Sequence, residues 1–219
     1  MNAKDWAERL RADPVYQAKL SEQAERAGSV RAEEGELLRI LASRGYPADS
    51  LEELAERYRA LPEDLSRALV ECLAVATDGT LQESIARVLG AAGKSFDARP
   101  LVQLFESTSS TSLRWAIANT LAELAPLETG AWLLDALKNP GYGKAREMLA
   151  LAVARTSTAS EANPVLLSLL DDMPGHAALA LAECGTAKEL RILEGRLAYA
   201  KGWVKKEIEK AIRAISRRL

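Results

Sequence analysis

Residues 113–124 read LRWAIANTLAEL. Large apolar side chains stand at Ile117 and Leu121, and an alanine follows each of them, at Ala118 and Ala122. At about 100° per residue these four positions share one side of an α-helix. The large pair suits packing on a partner helix, and the small pair lets a second helix approach closely. Arg114, Trp115 and Asn119 interrupt this plain pattern. With Ile117 at zero, Arg114 falls at about 60°, inside the apolar stripe, whereas Trp115 and Asn119 fall at about 160° and 200°, on its rim.

The pattern recurs along the chain. Leu89, Leu121, Val153 and Leu181 form one column, spaced by 32, 32 and 28 residues. Four residues earlier stand Ile85, Ile117, Leu149 and Ala177, and three residues earlier stand Ala86, Ala118, Ala150 and Ala178. Before each of these segments comes a shorter apolar one: LVECL at 69–73, LVQLF at 101–105, LLDAL at 133–137 and LLSLL at 166–170. Turn residues separate the segments, as in ATDGT at 76–80 and KNPGYG at 138–143. Two helices per unit, at a period near 32, predict a helical solenoid in which each unit buries its apolar face on its neighbours. A fifth unit places Ile208 and Ile212 in the large columns of a helix over 204–215, but Glu209 and Arg213 in the small ones. Charges where a further helix would pack predict a terminal cap.

Residues 1–60 do not follow this period. A short helix is expected over 3–12. Asp13-Pro14 then reads as an N-cap and first-turn proline. A long charged helix is expected from there to about Arg44, weakened or bent near Gly28 and Gly35 and stopped by Gly45 and Pro47. Ser50 and Glu53 have the spacing of a capping box opening a helix near 50–60. The expected division is a helical extension over 1–60 that covers the first repeat, and a repeat array over 61–219. A coiled-coil arm is the alternative for the extension, but its apolar positions between 17 and 36 are sparse for a heptad seam.

The chain has 219 residues, with 48% hydrophobic and 27% charged side chains and a formal net charge of −2. That composition fits a globular protein and excludes a largely disordered one. Residues 201–219 carry seven basic and two acidic side chains, while residues 61–200 carry an acidic excess. The basic end reads first as the polar outer face of the cap; contact with an acidic partner or phosphate is the second reading. Cys72 and Cys184 each lie in an apolar helical pattern and read as free buried thiols. The first ten residues, MNAKDWAERL, are charged and amphipathic, unlike a signal peptide. With no apolar run long enough for a membrane span, a cytoplasmic location is expected.

Catalytic constellations are missing from the sequence. His176 is the single histidine, and two distant cysteines with one histidine make no metal-ligand spacing. NPGYGKAR at 139–146 is glycine-rich, yet it lacks the phosphate-loop pattern and reads as a connection between helices. Asp135, Glu161 and the adjacent pair Asp171-Asp172 have no partner at a spacing that general acid–base chemistry needs. No cofactor, metal or catalytic residue is expected.

The motif Arg114-x-x-Ile117-Ala118-x-x-Leu121-Ala122 and its echo Arg146-x-x-Leu149-Ala150-x-x-Val153-Ala154 resemble the HEAT-repeat superfamily, in its short bacterial form, over roughly residues 61–219. The resemblance implies an all-α fold: a right-handed α-solenoid of about five HEAT-like two-helix repeats. It also implies a non-enzymatic scaffold that holds a protein partner on a concave surface lined by the second helix of each pair, with the Arg114 column structural. The rim columns vary in residue type between units, as a binding surface permits. They supply the candidate contact residues: Glu83 and Arg87, Trp115 and Asn119, Glu147 and Leu151; the alternative for Trp115 is packing over Ala122 and the next helix. Three other functions are the alternatives. Binding of nucleic acid, as in HEAT-like DNA glycosylases, suits the acidic repeats poorly, because phosphate contacts need Lys and Arg. Neutralising a basic toxin, as an immunity-type protein does, would suit them better. A bilin lyase has nothing beyond the repeat in its favour.

Overall fold

A computed structural model describes residues 13–93 and 96–219, and all of the regular structure there is helical. The fold is all-α. The helix expected over 3–12 lies outside the described residues.

Helix α1 runs Pro14–Ser43, and the carboxylate of Asp13 caps it by accepting from the Val15 amide at 2.8 Å. It continues through Gly28 and Gly35 and stops at Gly45, whose φ of 92° is a left-handed conformation that glycine adopts without Cβ strain. Only its second half enters the core, through Leu37 and Leu41. Two glutamates of that half serve as remote caps. Glu33 accepts from the amides of Thr77 and Asp78 at 2.6 and 3.2 Å, and Glu34 accepts from the Leu51 amide at 3.0 Å. Helix α2, Leu51–Arg57, buries Leu51 and Leu54. Its expected capping box is half made. Ser50 Oγ accepts from the Glu53 amide at 3.1 Å, but the Glu53 carboxylate reaches one residue further, to the Asp49 amide at 2.7 Å.

Among the described residues the further α-helices are α3 (Glu63–Val75), α4 (Gly79–Leu89), α5 (Arg99–Ser107), α6 (Thr111–Leu124), α7 (Gly130–Lys138), α8 (Leu149–Thr156), α9 (Ala159–Ser168), α10 (Pro174–Cys184), α11 (Ala187–Leu197) and α12 (Gly202–Ser216). Helices α3, α5, α7, α9 and α11 each pack on the helix that follows, and α4, α6, α8, α10 and α12 pack on one another in chain order. Helices α1 and α2 both pack on α4, and α1 also packs on α3.

The residue columns explain this order. Ile85, Ile117, Leu149 and Ala177 are fully buried, as are Leu89, Leu121, Val153 and Leu181. Burying one leucine or isoleucine contributes about 1.5–3 kcal/mol, so these columns drive the pairing. Ala86, Ala118, Ala150 and Ala178 are also fully buried, and their size brings the second helices close. The Thr120 hydroxyl of α6 reaches the Ala86 carbonyl of α4 at 2.7 Å, a buried hydrogen bond between neighbours. On α12, Glu209 is half-buried and Arg213 exposed, while Ile208, Ala211 and Ile215 carry the contact and Ile212 is only half-buried.

The third unit differs from its pattern. A regular helix is expected to include Arg146, but residues Pro140–Met148 form a 3₁₀ segment and α8 begins at Leu149. The cause is local: Pro140 and Gly141 open the segment, and Gly143 sits at φ 56°, ψ −140°, outside helical space.

Candidate functional site

Helix α6 sorts its unusual residues into two roles. Arg114 turns back to the preceding helix, where Nε donates to the Phe105 carbonyl at 2.9 Å and the guanidinium also reaches the Thr108 carbonyl. Its guanidinium carbon stands 5.6 Å from the Phe105 ring centre and 5.2 Å from that of Tyr142. Arg146 repeats the first contact, with Nη1 donating to the Leu137 carbonyl at 3.0 Å while Nη2 meets the Asp172 carboxylate. In the unit before, Gln82 Nε2 donates to the Ala76 carbonyl at 2.8 Å. This column satisfies carbonyls that a helix end leaves without intrahelical donors. It is scaffold.

Trp115 faces the other way. It is 37% exposed, and the Arg87 guanidinium of α4 lies 5.7 Å from its ring centre, within cation–π range. Arg87 also faces Glu83, one turn earlier, at 4.0 Å. The structure therefore brings Glu83, Arg87 and Trp115 together across two adjacent second helices. Asn119 lies one turn further along α6, half-buried, with no side-chain hydrogen bond or ion pair among the described residues. Leu151 of α8 is half-buried and packs against the core.

Glu147 leads to two residues that the column argument missed. Its carboxylate is 3.3 Å from His176 Nδ1 on α10, and the His176 ring lies 5.0 Å from the ring of Trp203 on α12. Trp203 is 49% exposed and seated on Gly175, where an added Cβ would come within 2.0 Å of the indole. Glycine is needed there for close approach. His176, read in the sequence only as an isolated histidine, is absent from the rim columns because the connection over 171–175 shortens the spacing and moves it one residue off. Trp203 lies outside the columns because it stands one residue before the helix expected over 204–215 and one turn before Lys206, the position aligned with Trp115. The signal that could have found it is the spacing Trp203–Lys206–Lys210, one helix face continuing the rim.

Burial is the largest influence on His176 and lowers its pKa below the ordinary 6.5, while Glu147 and Glu207 pull the other way without reversing it. The folded chain thus holds this proton less well than the unfolded chain. The stability that His176 contributes is complete above about pH 6.5 and is lost as pH falls through the depressed folded value. The urea midpoint of the native chain is expected to drop more steeply between about pH 8 and pH 5 than that of His176→Gln. Parallel profiles would remove this assignment.

Other chemistry-bearing groups are engaged structurally. Burial pushes the Cys184 thiol up to about 11, and its Sγ meets Asn163 Oδ1 at 3.1 Å. Asn163 in turn donates to Glu189, whose carboxylate accepts from the Thr186 amide at 2.9 Å and caps α11. A thiol held neutral at physiological pH is a poor nucleophile. Among the described residues no group of three or more His, Cys, Asp or Glu side chains could hold a metal ion, and no helix is long and apolar enough to cross a membrane.

No family model matches the chain, and no curated protein matches it. Two exposed tryptophans, Trp115 and Trp203, lie to either side of the Glu147–His176 pair, and each is braced by a cationic or imidazole side chain. A braced aromatic loses little conformational freedom when a partner covers it, which suits it as an interface anchor.

Proposed function

We propose that this chain is a non-enzymatic HEAT-like scaffold of about five two-helix repeats, wound as a right-handed α-solenoid. Its helical N-terminal extension covers the first repeat. It binds a protein partner, in the cytoplasm, through the concave surface formed by the second helices. The pairing of α3 with α4 through α11 with α12, and the buried columns that recur between them, support the repeat reading. The observation that carries the binding reading is the run Arg87–Trp115 on α4 and α6 and Glu147–His176–Trp203 from the segment before α8 to α12, with both indoles partly open to solvent.

Interface anchors are rich in Trp and Arg. The test is recovery of partners by the tagged native chain and by Trp115→Ala/Trp203→Ala, with folding of both checked by circular dichroism. Loss of one specific protein from the variant supports the reading. Identical recovery by the two chains refutes it.

A further inference from the structure

Helix α12 is the last of the second helices among the described residues, and its exposed face is basic in an ordered way. Trp203, Lys206, Lys210, Arg213 and Arg217 recur at steps of three and four and so share one side of the helix. All five are exposed. Lys210 is paired with Glu207 at 2.7 Å, whereas Lys206, Arg213 and Arg217 have no ion pair among the described residues. The apolar side of the helix is spent inward, with Ile208, Ala211 and Ile215 buried. From Lys206 to Arg217 the row spans about 16 Å, and the braced indole of Trp203 stands at its start.

We propose that this row docks an acidic peptide segment of the partner, with carboxylates lying along the cations and an apolar side chain set against Trp203. The proposal rests on the scaffold reading above and adds the chemistry of what is bound. Charge complementarity selects the occupant. Three unpaired cations in register, 1.5 Å of rise per residue apart, match acidic residues spaced along an extended or helical segment. A nucleic-acid backbone would need the basic track to continue across neighbouring helices. Here the rim beyond α12 alternates in sign, with Glu83 facing Arg87 and Glu147 facing His176, and does not continue the basic track. An anionic membrane surface would call for an apolar helix face beside the cations, and that face of α12 is buried in the core.

The probe is a fluorescein-labelled peptide of about a dozen residues, Asp and Glu with two Leu, titrated against the full chain at low salt. It is expected to bind, to weaken as salt rises, and to change the tryptophan emission in a way that Trp203→Phe abolishes. Lys206→Glu/Arg213→Glu is expected to weaken binding about tenfold, while Lys19→Glu, an exposed site on α1, which packs on α3 and α4, stays within about twofold. Equal losses in the two variants, no binding by the native chain, or tighter binding of duplex DNA or phosphatidylserine vesicles than of the peptide would each overturn the assignment. If the partner is still lost with Trp115→Ala/Trp203→Ala but is retained by Lys206→Glu/Arg213→Glu, the acidic-segment proposal fails and the scaffold reading stands.

Discussion

Arg114→Ala is expected to destabilise the protein by about 2 kcal/mol, a drop in Tm of roughly 4–8 °C for a chain of this size. The variant leaves the carbonyls of Phe105 and Thr108 without their donor and removes the cation from between the Phe105 and Tyr142 rings. A charge-assisted hydrogen bond contributes about 1.5–3 kcal/mol, and partial re-solvation of half-buried carbonyls returns some of the loss. Arg114→Lys is expected to recover only part of it, because an ammonium cannot fork to two carbonyls and stack at the same time. Thermal and urea unfolding check both variants. A change below about 0.5 kcal/mol in Arg114→Ala would show that this column does not hold the helix pairs together.

One residue later the expected effect moves from folding to binding. Trp115→Ala gives up the cation–π contact with Arg87 and part of a half-buried indole, at a cost of about 1–2 kcal/mol, which leaves the chain folded. Affinity for the partner is expected to fall much further, by about 30-fold or more, since a central interface tryptophan typically contributes 2 kcal/mol or above. Trp115→Phe keeps an aromatic face and is expected to lose less. Calorimetric titration of the purified partner into each variant measures the difference. A Trp115→Ala chain that unfolds at the same temperature as the native one and binds with the same affinity would take Trp115 out of the interface.

The helical character of the chain and the inward columns were legible in the sequence because burial depends on periodicity. Ile117 and Leu121 could face only one side of a helix, and they are fully buried. Asp13 and Ser50 were legible as caps because short polar side chains at helix starts have one local task. The start of α8 was not legible. The backbone of Gly143 delays the helix to Leu149, and a glycine's φ cannot be read from its neighbours. Glu33 could not be recognised as a remote cap, since its partners Thr77 and Asp78 are 44 and 45 residues away. On the surface, the columns gave Glu83, Arg87, Trp115 and Glu147 but not their partners His176 and Trp203. Those contacts depend on the shortened connection over 171–175 and on the close seat at Gly175, which are properties of the packed chain.

On the proposed reading, one face of the second helices, from α4 to α12, meets a partner. The most direct measurement is site-specific photo-crosslinking in the native cell, with a benzophenone side chain at one position at a time. Asn119, Leu151 and Lys206 sample the second helices, and Arg67, Gln103 and Asp135, exposed on α3, α5 and α7, sample the first. The scaffold account predicts the same protein adduct from all three second-helix positions and none from the first-helix positions. Adducts confined to Arg67, Gln103 and Asp135, or no adduct at any of the six, would contradict it.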